Sequence, residues 1–265
     1  MKTLLLPLIL CLVWHVQIFA QAGAIDTSFG SVNAFTGSGS VSALVQQPDG
    51  KLLVGGDFKT YQGFFSQNIV RLHPDGAVDT SFKAGTGTGD RGVNTIAVQE
   101  DGKIIIAGYF KAYNGISRPN IARLDTNGAL DLSFDPGTGL EGNRSIFKVA
   151  ALENGKILVG GGFPTFNGLA YSSIVRLNSN GSVDTTFNPG TGVMGFGVYD
   201  FAIQDDGKIV IVGNINQFNG VSTNNILRLN ENGSIDSTFM PGGGAAGTVR
   251  RVYCLTIQSD GKILI

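Results

Sequence analysis

The chain has 265 residues, a formal net charge of −1, only 15% charged residues and 39 glycines. The near-zero charge and the lack of a basic stretch exclude an electrostatic nucleic-acid footprint, and 42% hydrophobic residues suffice for a packed core. His15 and Cys11 both lie within the first twenty residues, and the one histidine and one cysteine beyond them, His73 and Cys254, are too few for a His/Cys metal cluster.

Residues 1–20 differ in kind from the rest of the chain. Lys2 precedes an apolar run, Leu4 to Phe19, interrupted only by His15 and Gln17, and Ala20 supplies a small residue at a cleavage position. This is the form of a secretory signal peptide. An N-terminal membrane anchor is the alternative, for which the run is short. Cleavage would leave Gln21 first and remove Cys11, giving a mature domain over 21–265 that is secreted or held at the cell surface, with no membrane span. One cysteine, Cys254, then remains; it cannot form an internal disulfide and reads as a buried small hydrophobe in an alternating stretch.

From residue 25 onward one unit recurs. It opens with a short alternating segment, d: Ile25–Phe29, then Val78–Phe82, Leu130–Phe134, Val183–Phe187 and Ile235–Phe239. A Gly/Pro-rich connection follows, as in Asp135-Pro136-Gly137-Thr138-Gly139, with no helical period behind it to cradle a phosphate. Segment a (Val41–Gln46, Val93–Gln99) leads through a turn into segment b, as in Pro48-Asp49-Gly50-Lys51-Leu52-Leu53-Val54-Gly55-Gly56. The turn glycines 50, 102, 155, 207 and 261 lie 52, 53, 52 and 54 residues apart. A fixed period in this range is one supersecondary unit stacked many times.

Segment b is apolar on both faces, as in a strand covered from both sides. About a dozen residues connect it to segment c, which ends in Arg71-Leu72, Arg123-Leu124, Arg176-Leu177 and Arg228-Leu229. The loop Pro74-Asp75-Gly76 suits a three-residue hairpin and places His73 opposite Ala77, Leu72 opposite Val78 and Arg71 opposite Asp79. The same spacing pairs Arg123 with Asp131, Arg176 with Asp184 and Arg228 with Asp236; these charges read as structural cross-strand pairs.

Four short antiparallel strands in about 52 residues predict an all-β protein, a β-propeller of four-stranded blades, with a coiled β-solenoid as the alternative. The sequence holds four copies and part of a fifth, stopping within segment b, which reads as a propeller incomplete at its C-terminus and part of a longer chain. The Leu-Asp-x-Ser-Phe segments, the Asp-Gly-Lys-Ile turns and the Arg-Leu before Asn-Gly resemble the delta-60 repeat family, and the Gly-Gly closing segment b resembles kelch blades more distantly; the fourth copy departs from the latter with Val212-Gly213-Asn214. The resemblance implies a propeller and export by a bacterium, and carries no activity to transfer.

Catalytic constellations do not assemble. The mature chain has one histidine, His73, beside a turn, and the repeating acids are explained by turns and ion pairs. Asp57, Asp90, Glu141 and Asp200 fall outside the repeat pattern and would have to meet in the central funnel to serve a carbohydrate- or ester-active enzyme. The Asp125–Asp131 loop lacks the spacing of a calcium-binding EF-hand. The aromatic pairs of the b–c connections (Phe58/Tyr61, Phe110/Tyr113, Phe163/Phe166) and the amide–glycine after them read as wedges between blades, or else as sugar- or peptide-binding groups. Phe64, Phe65, Tyr109, Arg118, Tyr171 and Met194 vary between copies and are the candidate ligand face, on the side of the longer loops. The expectation is a binding or scaffold module for a protein or glycan, without a cofactor, monomeric or within a longer chain; a plain structural spacer would show no exposed aromatic cluster.

Overall fold

The computed structural model describes residues 35–37, 39–89, 91–141, 144–241 and 251–265. The expected leader and the first copy of segment d, Ile25–Phe29, lie outside them. Each copy folds as an antiparallel sheet in the order a–b–c. In the first, a (Ser40–Gln46) pairs with b (Leu52–Asp57), and b with c (Ile69–Leu72). Val93–Val98, Ile104–Gly108 and Ile121–Leu124 repeat this arrangement, as do Ser145–Ala151, Ile157–Gly162 and Ile174–Leu177. The fourth sheet has longer a and b strands, Val193–Ile203 and Ile209–Phe218, with c at Ile226–Leu229. In the fifth, Thr256–Ile257 pairs with Ile263–Leu264.

Sheets so apolar must bury both faces, and they do so against one another. One core cluster joins Leu53 and Ile69 of the first sheet to Val93, Ile96 and Ile106 of the second; two more join Ile105 to Ile146 and Val159, and Leu158 to Val198 and Ile211. The a strands of neighbouring sheets lie side by side. The sheets are the blades of a β-propeller, with a innermost.

Segment d differs from a regular strand. Its pairing with c is a single bridge per blade: Leu72 with Val78, Leu124 with Leu130, Leu177 with Val183 and Leu229 with Ile235. The derived register holds, since the Ala77 carbonyl accepts from His73 N–H and the Arg71 carbonyl from Asp79 N–H. The chain then curls because Asp79 Oδ1 accepts both the amide (3.0 Å) and the hydroxyl (2.6 Å) of Ser81. Such local side-chain acceptors compete with a ladder. The curl seats Phe82 under the Arg71 guanidinium, 4.8 Å from the ring centroid, and in the core cluster shared with the second blade.

Arg71 is thereby a clamp between blades. Its Nε donates to Asp79 Oδ2 at 2.8 Å, and its Nη1 donates to the Thr126 carbonyl in the next blade's c–d turn. Arg123 reaches Asp131 and the Ser179 carbonyl, and Arg176 reaches Asp184 and the Glu231 carbonyl, in the same way. Arg228 pairs with Asp236 at 2.8 Å. The lysine of the first four Asp/Asn-Gly-Lys turns completes the set: Lys51, Lys103, Lys156 and Lys208 lie 2.9–3.1 Å from the same four aspartates.

Burial pushes Asp79 up, yet hydrogen bonds from Ser81, Lys51 and Arg71 outweigh it and hold the carboxyl well below the usual carboxylate range. Asp131 and Asp184 are lowered by the same balance, and Asp236 chiefly by the Thr238 hydroxyl. A folded-state value below the unfolded one means that the unfolded chain binds more protons as pH falls. This stability is full above the ordinary carboxylate value, about pH 4, and is lost progressively below it. Urea unfolding should therefore show a lower midpoint at about pH 3 than at pH 7; equal midpoints would contradict the assignment.

The b–c aromatics are wedges. Phe58, Tyr61, Phe110, Tyr113, Phe163, Phe166 and Phe218 are all buried. Tyr113 OH donates to the Gly128 carbonyl at 2.8 Å, and burial pushes its phenol well up. Tyr113→Phe should cost about 1–2 kcal/mol by leaving that carbonyl short of a partner, read from a denaturant midpoint. The amides after these rings hold the preceding loop. Asn167 Oδ1 accepts from Gly139 N–H while its Nδ2 donates to the Pro136 carbonyl, and Asn219 Oδ1 accepts from Gly192 N–H.

Cys254 corrects an expectation: it is exposed. Val252 is buried against the fourth blade, with Leu255 packed beside it, and Cys254 falls between them on the face turned away.

Candidate functional site

One glycine of each of the first four b strands shapes the inner strand beside it. Gly56, Gly108, Gly161 and Gly213 face Val41, Val93, Ile146 and Val198, and at each the register slips by one residue in strand a. A bulge of this kind bends the strand and re-aims one side chain. A Cβ on Gly56 would lie 2.0 Å from the Ser40 carbonyl oxygen, and one on Gly213 2.0 Å from that of Gly197. The preceding position varies, as Gly55, Ala107, Gly160 or Val212, and a Cβ on Gly55 would meet the Val93 side chain at 2.8 Å rather than backbone.

The bulged residues are Ser42, Asn94, Phe147 and Tyr199, each eight positions before its turn glycine; Tyr253 has the same spacing from Gly261. They sit near the start of strand a, the end that adjoins the longer loops. A cleft of about 360 Å³ is lined there by Ser42, Asn94, Thr95, Phe147, Lys148, Tyr199 and Asp200 among others. Bonds between inner strands hold it together. Asn94 Nδ2 donates to Ser145 Oγ (2.7 Å) and the Ile146 carbonyl (2.9 Å), Lys148 Nζ meets Asp200 Oδ1 at 2.9 Å, and Asp200 Oδ2 accepts from Leu255 N–H.

One side of this mouth is polar and the other aromatic. Phe147 lies nearly parallel to Phe196 (centroids 6.5 Å apart) and edge-on to Tyr199 (5.6 Å), and Tyr199 stacks on Tyr253 at 5.7 Å. Phe196 meets the edge of Tyr199 at 6.1 Å. Phe196 and Tyr253 are 59% and 67% exposed. The approach depends on a third glycine in blade three: a Cβ on Gly162 would lie 3.0 Å from the Phe196 carbonyl oxygen and 3.2 Å from the Phe147 ring. Phe196 itself stands on the extended start of the fourth a strand, between Gly195 and Gly197.

All but one of the residues anticipated as a ligand face lie elsewhere, on three blades. Phe64 and Phe65 are exposed on a hairpin and share a cleft of about 300 Å³ with Val78, Phe82 and Lys83. Tyr109 lies under Arg91, 4.4 Å from ring centroid to guanidinium, and Tyr171 packs on the core. Arg118 Nη1 donates to the neighbouring Ser117 carbonyl. Met194 is exposed two residues from Phe196 and belongs to the same extension.

Of the residues lining the mouth cleft, Asp200 is the one carboxylate, and Lys148 and two backbone amides engage it. That arrangement supplies no acid–base pair. Among the described residues no group of three or more His, Cys, Asp or Glu could hold a metal ion, and no helix is long and apolar enough to cross a membrane.

A family model described as a domain of unknown function (DUF5122) beta-propeller matches residues 47–82, 99–134, 152–187 and 204–239, more than half of the chain. The chain belongs to this family. Each DUF5122 match runs from the a–b turn to the phenylalanine of segment d, and so takes in the lysine, arginine and aspartate of one clamp. No curated protein matches the sequence. Solved structures similar to this DUF5122 propeller include a protein of unknown function from Bacteroides caccae (18% identity, 74% of this chain and 65% of that one, TM-score 0.43). The chain thus spans just under two thirds of that protein's length. Others are the WD40 β-propeller domain of Doa1 (14%, 87% and 76%, TM-score 0.43) and PorZ, a surface component of the type-IX secretion system of Porphyromonas gingivalis (12%, 88% and 31%, TM-score 0.37).

Proposed function

We propose that this chain is an exported, non-catalytic binding module that captures its partner on the aromatic shelf beside the cleft between its inner strands. The observation that carries the reading is the cluster of Phe147, Phe196, Tyr199 and Tyr253, two of whose rings stand open to solvent. Contiguous exposed rings mark interaction sites, and a structural spacer has no use for them. Export rests on the leader-like residues 1–20 and on the likeness to delta-60 repeats of secreted or surface bacterial proteins.

The test adds fluorescently labelled full-length protein, purified from the medium of an expressing host, to cells of the source organism. Saturable labelling is expected, and Phe196→Ala/Tyr253→Ala should weaken it at least tenfold while leaving the unfolding temperature within about 2 °C, since exposed substitutions cost little. Undiminished labelling by the variant contradicts the site. Sequencing of the exported product should begin at Gln21; a chain retained in the cytoplasm with Met1 contradicts export.

A further inference from the structure

We infer that the ligand of the shelf is a glycan chain, whose pyranose rings lie on Phe196 and Tyr253 while their hydroxyl edges turn toward the polar side of the mouth. This rests on the reading of the shelf as the binding site and narrows it to one chemical class.

The surroundings of the rings decide between a sugar and a protein partner. A protein anchor needs an apolar pocket that closes around one buried side chain. Here Phe147 and Tyr199 share the cleft with Asn94 and the Lys148–Asp200 pair, and Phe196 and Tyr253 pack on those two rings and stand open. A sugar ring presents C–H bonds on its faces and hydroxyls around its rim. It therefore needs flat exposed rings beside amide, hydroxyl and ionic groups, as found here. A nucleic-acid strand would also stack on such rings, but it demands a basic groove, and the chain's net charge is −1. Arg251, whose guanidinium lies 5.7 Å from the Tyr253 ring centroid, stands at the outer end of the shelf. An acidic sugar could meet it there, and a neutral one needs only the rings.

The experiment applies the full-length protein to a printed array of neutral glycans and uronate-containing glycans. Binding to members of either set is expected, lost at least tenfold in Phe196→Ala/Tyr253→Ala and retained in Phe196→Tyr/Tyr253→Phe, because two stacking contacts of about 1 kcal/mol each are removed or kept. Preference for uronates, abolished by Arg251→Gln, places the charge of the ligand at Arg251; equal binding of both sets makes the rings sufficient. Absence of binding to every glycan overturns the inference. If phage-displayed peptides are then enriched on the wild type and not on the alanine variant, the shelf remains a binding site for a different class. If neither glycans nor peptides bind, the reading of the shelf fails with it.

Discussion

Gly213→Ala should destabilise the protein by about 3 kcal/mol or more, one of the largest effects available to a single methyl group here. The added Cβ would stand 2.0 Å from the Gly197 carbonyl oxygen and 3.1 Å from the Tyr199 amide nitrogen. Both are backbone atoms inside a paired ladder, so no rotamer change relieves the overlap. The bulge must move or the two strands must part, and either displaces Tyr199 from the shelf. Gly220→Ala is the control: its Cβ meets nothing within 4 Å, so only its positive φ of 77° is strained, and the expected cost is about 1–2 kcal/mol. Thermal unfolding of the pair separates close approach from conformational strain. Equal losses would contradict the role given to Gly213.

Arg123→Ala should cost about 2–3 kcal/mol, less than the full penalty for stranding a buried charge because a second cation remains on the carboxylate. The guanidinium spans four partners at once: Asp131 at 2.7 Å, the Ser133 hydroxyl at 3.1 Å, the Ser179 carbonyl of the next blade and the Phe134 ring at 5.0 Å. Lys103, 2.9 Å from Asp131, leaves the carboxylate one cation, so the aspartate is not orphaned and the lost seam contact carries much of the effect. Arg123→Lys should rescue little, since an ammonium cannot fork between a carboxylate and a carbonyl while stacking on a ring. Arg228→Ala should cost less. That side chain is 18% exposed, and its Nη1 reaches Gln204 of its own blade at 3.1 Å. Urea midpoints for the three variants test the order.

The blade was legible because its parts are local. Doubly apolar b strands, Asp-Gly and Asn-Gly turns and the eight-residue step from Arg71 to Asp79 dictate sheet, turn and register with little help from elsewhere. Segment d was legible as a pairing but not as a curl. Its alternation resembles a strand, while Asp79 and Ser81 spend their polar groups on the backbone between them. The shelf was harder to see. Phe147, Phe196, Tyr199 and Tyr253 come from three copies about fifty residues apart, and a bulge, which has no period of its own, turns three of them to one side. A signal did exist: counting eight positions back from each turn glycine gives Ser42, Asn94, Phe147, Tyr199 and Tyr253, polar in two copies and aromatic in three. Variation at the loop tips pointed instead to Phe64, Tyr109 and Tyr171, which the fold places on separate blades.

Nitration of tyrosines, mapped by mass spectrometry with and without a solubilised surface extract of the source organism, locates the binding face directly. Tyr61 and Tyr113 are buried and should resist throughout, whereas Tyr253, 67% exposed, should react first in the free protein. Binding at the shelf predicts that the extract protects Tyr253 and Tyr199 and leaves Tyr109 and Tyr171 as reactive as before. Protection of Tyr109 or Tyr171 with Tyr253 still open would contradict the account and return the site to the outer loops.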